Sequence, residues 1–286
     1  MHTPTPIHPA APLPPDTQAD PAALDALEAA AFAAWPAAHT RQDQGWTLRL
    51  DRGYTKRANS ANAGAQAQEL DDAALDALEA AFAQQGLAPV FRLCSFAAVP
   101  ATEARLAQRG FEARDLSLVM TRPLGLDDAL AGDAGPTTAP MPTNAAAHTP
   151  ALTLRPDAAT WLQDFTAASG KSGADQALHL QILQRIAHPC AWAVDAAGDV
   201  PRSVALGVRV GPHLGLFDIA THAAHQRQGH AARLCRGLLA WGQAQGAHTA
   251  FLQVAAANRG AIRLYQQLGF REAYRYHYLE RPAPAA

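Results

Sequence analysis

The stretch Gln226-Arg227-Gln228-Gly229-His230-Ala231 decides how this chain is read. It follows the apolar run Leu214-Gly215-Leu216-Phe217-Asp218-Ile219-Ala220, which is short, begins after Gly211-Pro212 and reads as a strand. A helix is expected over 231–245, with Leu234, Leu238, Leu239 and Trp241 at helical spacing. A strand, a glycine turn and a helix start together make an anion site. Free backbone N–H groups and the positive end of the helix dipole converge there. Gly229 lets a phosphate come close to the backbone, and Arg227 can add a charge-assisted contact. A plain strand-to-helix connection looks much the same, so the turn needs support from elsewhere.

The support comes from Asn258-Arg259-Gly260-Ala261-Ile262-Arg263-Leu264-Tyr265-Gln266-Gln267-Leu268-Gly269-Phe270. Asn258 is a good helix N-cap, Ala261, Leu264, Tyr265 and Leu268 follow at helical spacing, and Gly269 stops the helix. A buried strand over 250–254 precedes it, and a tyrosine-rich strand over 273–279 follows.

These two motifs resemble those of the GNAT family of acetyl-CoA-dependent N-acyltransferases. The first is similar to that family's R/Q-x-x-G-x-G/A pyrophosphate loop, with Gln226 in the first position and Ala231 in the last. The second is similar to its N-x-x-A-x-x-L-Y-x-x-x-G-F ending, carried by Asn258, Tyr265, Gly269 and Phe270. Order and separation match as well. The resemblance covers residues 200–281 and extends back to 151. It implies an α/β fold with a mixed, mostly antiparallel sheet flanked by helices.

The rest of the second half fits that expectation. A strand over 152–155, helices over 158–168 and 174–187, a strand over 191–194, a turn at 196–199 and a strand over 204–210 precede the apolar run. The segment 126–150 is rich in turn formers, lacks periodicity and reads as a linker. It separates a region over 21–125 from the catalytic region over 151–286. In the first region, helices are expected over 21–34, 72–85 and 102–111, and strands over 45–50, 90–94 and 116–120. Leu106…Gly110-Phe111 echoes Leu268-Gly269-Phe270, but no glycine turn precedes it and no tyrosine stands beside Leu106. This half reads as a degenerate, non-catalytic repeat or as an unrelated accessory domain. Trp46…Arg49…Arg57-Ala58-Asn59-Ser60 also resembles the opening of bacterial tandem-GNAT proteins.

A chain of 286 residues with a formal net charge of -2 carries no global basic field for nucleic acid or acidic membranes. No apolar run reaches bilayer length. Residues 1–20 lack the pattern of a signal peptide and read as a disordered tail. Three widely spaced cysteines, Cys94, Cys190 and Cys235, suggest reduced thiols and a cytoplasmic protein. The 12 histidines show no H-x-x-x-H or H-E-x-x-H spacing, so no metal is expected. A homodimer is compatible with all of this.

Direct acetyl transfer needs a held cofactor, a neutral amine, a stabilised oxyanion and a protonated leaving thiolate. Backbone N–H groups from Arg227 to Ala232, through Gln228, Gly229, His230 and Ala231, are placed to hold the pyrophosphate of acetyl-CoA. Main-chain groups of Ile219, Ala220 and Thr221 are placed to pair with its pantetheine arm. The resemblance implies that Asn258 contacts the cofactor and that Tyr265 protonates the thiolate. The general base is open among Asp218, His222, His213 and a water. Asp218, an acid on a half-buried strand, should have a raised pKa, which suits a base. The polar segment 53–62 is dense in donors, and Arg57 and Asn59 are candidates to bind the acceptor. The leading expectation is an N-acetyltransferase acting on a small-molecule, amino-acid or peptide amine. A non-catalytic acetyl-CoA-binding regulator would not need Tyr265 or a base. Acetylation of protein lysines has no acidic recognition run to support it.

Overall fold

The computed structural model describes residues 20–125 and 152–282, apart from 172, 174 and 199. The linker expected over 126–150 lies outside the described residues, as does the tail expected over 1–20 except for Asp20, whose side chain accepts from the Ala22 N–H and caps the first helix.

The first half of the chain runs α1 (Pro21–Ala34), β1 (His39–Asp43), β2 (Trp46–Leu50), β3 (Ser60–Ala63), α2 (Asp72–Gln84), β4 (Val90–Cys94), α3 (Pro100–Gln108) and β5 (Glu112–Pro123). The second runs β6 (Thr153–Leu154), α4 (Ala158–Ser169), α5 (Asp175–Gln184), β7 (Cys190–Ala197), β8 (Val200–Val210), β9 (His213–Thr221), α6 (His230–Ala244), β10 (Thr249–Ala255), α7 (Arg259–Gln267) and β11 (Arg271–Glu280). Several helices begin where an acid or amide can cap them. Asp71 accepts from the Ala74 N–H at 2.8 Å, Asp157 from Thr160 at 2.8 Å and Asn258 from Ala261 at 3.1 Å.

Two strands depart from the reading of the sequence. Ser60–Ala63 overlaps the end of the expected polar segment, yet all of it is buried as β3. Its residues are small and not β-branched, so propensity gave no sign. Tertiary pairing makes the strand, with β2 antiparallel on one side and β4 parallel on the other. Asn62 adds a side-chain hydrogen bond from Nδ2 to the Thr47 carbonyl at 2.9 Å. β1, which is polar and exposed throughout, is held by its register with β2.

All strands join one sheet in the order β1-β2-β3-β4-β11-β5-β10-β9-β8-β7-β6. Only β3–β4 and β9–β10 are parallel, so the sheet is mixed and mostly antiparallel as expected. The centre does not follow the division of the sequence. β5, from the first half, lies between β10 and β11, and β11, from the second, lies between β4 and β5. Each half completes its sheet with the last strand of the other.

The pleat sends alternate side chains to opposite faces. On β5, Val119 joins a core with α1, α4 and α5, while Leu118 and Met120 join one with α6 and α7. A third cluster, under α2 and α3, continues that second face. The first core mixes the halves, because Trp35 and Val119 pack with Trp161, Val194 and Phe217. Trp35 is 1% exposed and stacks on Phe217 at 5.7 Å, so α1 is seated on β9 of the other half.

Candidate active site

The site begins where two strands part. Parallel pairing of β9 with β10 runs from His213–Thr249 to Leu216–Leu252 and stops. Just beyond, β9 bulges against β8. Leu206 faces Phe217 and Val204 faces Ala220, so Asp218 and Ile219 together oppose a single residue. Asp218 takes a left-handed φ of 47°, which re-aims its side chain.

β9 ends at Thr221 and leads through a short 3-10 turn, Ala223–His225, to the glycine turn. Arg227 and Gly229 have φ of 61° and 82°, and Gly229 stands as the N-cap of α6 with no side chain to satisfy the helix start. The first helical N–H with a backbone partner is that of Arg233, donating to the Gly229 carbonyl at 3.0 Å. Among the described residues the N–H groups of Gly229, His230, Ala231 and Ala232 have none. Residues 226–229 are exposed. The His230 side chain turns inward to Asp195, with Nδ1 2.7 Å from Oδ2, so only its main chain faces the turn. Burial alone would raise the Asp195 carboxyl. Hydrogen bonds with His230 and Arg233, and the nearby Arg202, hold it below the usual range.

The candidate bases separate cleanly. His213 sits at the opposite end of β9, its pKa lowered by burial. His222 is exposed, and its Nδ1 accepts from the Ala224 N–H. Asp218 alone stands at the parting. Its Oδ2 lies 2.8 Å from Nε2 of His179 on α5, and His179 Nδ1 lies 3.0 Å from the Tyr54 hydroxyl. Tyr54 stacks on His179 with centroids 5.0 Å apart, and His179 is 2% exposed. Burial first, then the Asp218 charge, pushes Tyr54 up to about 12, so its hydroxyl keeps its proton. Neither His179 nor Tyr54 was foreseen. The one signal was a histidine set between leucines, Leu178-His179-Leu180, in a helix. Its partners lie 39 and 125 residues away, beyond any local pattern.

Tyr265 projects from α7 and is 7% exposed. Burial raises its hydroxyl well above the ordinary value, and the hydroxyl has no hydrogen-bond partner among the described residues. Asn258 caps α7 two turns earlier.

A pocket of about 250 Å³ opens beside the parted end of β10. Gln253–Ala255 of β10, Tyr276 and Tyr278 of β11, and Lys56 and Arg57 of the polar segment line it. Tyr276 donates to Gln253 Oε1 at 3.0 Å. Lys56 is held by Asp115 at 2.5 Å and by Glu280. The Arg57 guanidinium lies 4.7 Å over Trp35 and 5.7 Å over Phe217. Asn59 corrects the reading of the sequence, because it does not line the pocket. It is 5% exposed, its Oδ1 accepts from Asp51 and Gly53, and its Nδ2 donates to the Thr55 carbonyl. Its amide shapes the turn that carries Arg57.

Among the described residues no group of three or more His, Cys, Asp or Glu could hold a metal, and no helix is long and apolar enough to cross a membrane. Burial raises all three thiols, Cys190 and Cys235 to about 12.

The family described as "Probable histone acetyltransferase Rv0428c C-terminal" matches residues 22–279. The chain belongs to this family of GNAT acetyltransferases. This acetyltransferase is also similar to the "Uncharacterized N-acetyltransferase YobR" of Bacillus subtilis, 28% identical over 255 residues, which are 88% of this chain and 96% of the relative. Its fold is that of a GCN5-related N-acetyltransferase from Kribbella flavida, with a TM-score of 0.62, 17% identity and coverage of 91% of this chain and 95% of that one. A tandem GNAT protein from the clavulanic acid biosynthesis pathway matches with a TM-score of 0.54 and 12% identity, over 92% of this chain and 89% of its own. GNAT acetyltransferases use acetyl-CoA, and the residues at the parting fit such a ligand. The open N–H groups ahead of α6 suit a pyrophosphate.

Proposed function

We propose that this acetyltransferase moves an acetyl group from acetyl-CoA to a primary amine by direct attack, with both substrates bound together. One observation carries the reading. β9 and β10 part between an open helix start and a carboxylate–histidine pair. Acetyl-CoA would supply the acetyl group as an activated thioester.

The chain's own residues then have separate tasks. N–H groups of residues 227–232 hold the pyrophosphate at the α6 N-terminus. Main-chain groups of Ile219, Ala220 and Thr221, on the strand edge that has left β10, pair with the pantetheine arm. Asp218 takes the amine proton. Only one of its oxygens is engaged by His179, which leaves the other for the incoming amine or a bridging water. His179, fixed by Tyr54, orients that carboxylate and spreads the charge. Tyr265, protonated at any working pH, gives its proton to the leaving sulfur. Direct attack is supported because every described thiol is raised by burial and so is a poor nucleophile.

Free-thiol release from acetyl-CoA across a panel of primary amines tests this. At least one amine should turn over, and Asp218→Asn should lower kcat by roughly 10²–10⁴-fold with the acetyl-CoA-induced rise in melting temperature retained. No turnover with any amine, or an unchanged kcat in the variant, would overturn the reading.

A further inference from the structure

We infer that the acceptor carries a carboxylate as well as its amine, and that Arg57 binds that carboxylate. The inference deepens the proposed acetyl transfer and rests on it for the identity of the pocket.

The argument starts from charge. The two cations lining the pocket are Lys56 and Arg57, and no carboxylate lines it. Lys56 is neutralised by Asp115 and Glu280. The Arg57 guanidinium has no hydrogen bond and no carboxylate within 4.0 Å among the described residues. Of the two lining cations, only the Arg57 guanidinium is left without a carboxylate partner.

The position of that charge is built. Trp35 is 1% exposed and locked on Phe217, and both rings meet the Arg57 guanidinium. Asn59 clamps the turn that carries the backbone, and the Arg57 carbonyl accepts from buried Arg49. With a ring against its face, the planar fork has its edge free for a bidentate partner, which is the geometry of a carboxylate. The same Trp35 ring lies 5.6 Å from His179, so the anchor and the histidine that orients the proposed base flank one side chain.

Size and the unpaired Arg57 disfavour the contrary class. About 250 Å³ holds an amino-acid-sized molecule. A polyamine or a lysine-rich tail would bring a second cation towards Arg57 with no acid in the lining to receive it.

The test separates binding from turnover. Calorimetry on the full chain with coenzyme A present compares N-acetylglycine, N-acetylalanine and N-acetylleucine with their carboxamides. At least one acid should bind tenfold or more tightly than its amide. In Arg57→Ala, and in Arg57→Gln, which keeps a stem and a planar group over Trp35, that preference should vanish while the melting temperature stays within a few degrees. Equal binding of acid and amide, no acid binding at all, or a preference that survives both variants would overturn the inference. The amino acids whose acetyl forms bind are then assayed for thiol release. Binding with the stated preference but without release would sink the acetyl-transfer reading and leave the carboxylate anchor standing.

Discussion

The two halves of this acetyltransferase repeat one frame and differ in what they leave unbonded. β3-α2-β4-α3-β5 and β9-α6-β10-α7-β11 have the same order, and each opens on a parallel pair. Even the helix endings agree. The Phe111 N–H donates to the Leu106 carbonyl at 3.0 Å, and Phe270 donates to Tyr265 at 2.9 Å, with Gly110 and Gly269 at φ of 81° and 82°. Leu106 thus stands where Tyr265 stands in the other half, fully buried and without a proton to give. After β3 the connection bonds inward. Glu69 accepts from the Ala101 and Thr102 N–H groups and from the Thr102 hydroxyl, and Leu70 donates to that same hydroxyl. After β9 the N–H groups of Gly229, His230, Ala231 and Ala232 stay open among the described residues. The lesson is that the frame alone is not the site. A helix start and a helix end become chemical only where the protein does not satisfy them itself.

The sharpest way to break the comparison is at the paired helix ends. Tyr265→Phe should lower kcat by roughly 10²–10⁴-fold and leave acetyl-CoA binding intact. Leu106→Met, the matching change in the other half, should leave both alone. Steady-state kinetics on both variants decides, and equal losses would show that the position matters for packing only.

The helix starts come next. Acetyl-CoA at about a hundred times its Kd should stabilise the chain by about 2.7 kcal/mol, a rise of several degrees in Tm. Gly229→Asp should remove that rise, because a carboxylate would repel the pyrophosphate. A side chain there meets only Arg233 Nη1, at 3.7 Å, so the strain lies in the left-handed φ. Gly229→Asn bears the same strain without the charge and should keep part of the rise. Titration calorimetry should count one acetyl-CoA per chain, and two would remove the asymmetry between the halves.

Asn59 and Arg57 sharpen the contrast between shaping and binding. Asn59→Ala removes bonds to Asp51, Gly53 and Thr55 and should cost about 1–3 kcal/mol by denaturant melts. A variant as stable as the parent would return Asn59 to the pocket.

The smallest effect concerns pH. The Asp195 carboxyl is held below its usual range in the folded state, so the stability it contributes is present above the unfolded value and fades as pH falls through the folded one. Asp195→Asn should therefore lower Tm by a few degrees at pH 7, about 1 kcal/mol, and the gap to the parent should close below about pH 4. A gap constant across that range would mean that the loss is one of packing.

Much of the frame was legible because it repeats over short distances. α1, α2, α4 and β4 lie where periodicity and caps put them, and α6 and α7 begin where Gly229 and Asn258 predict. The unforeseen β3 shows the limit, since Ser60-Ala61-Asn62-Ala63 becomes a strand only through its neighbours. The glycine turn and Tyr265 could be named in advance because each is one residue or turn within a local motif. Which of three candidate bases stands at the parting could not be read that way, nor could the partner that orients it.

By itself, then, the sequence determined the order of elements, the open helix start at Gly229 and the tyrosine of α7, because helix periodicity, caps and glycine conformation act within a few residues. The tertiary structure alone decided that β5 and β11 cross between the halves, that His179 joins Asp218 to Tyr54, and that Arg57 faces a pocket from across the chain. Those contacts join residues far apart in sequence. Their free energy comes from burying Trp35 and Phe217 between the two halves, which no local pattern records.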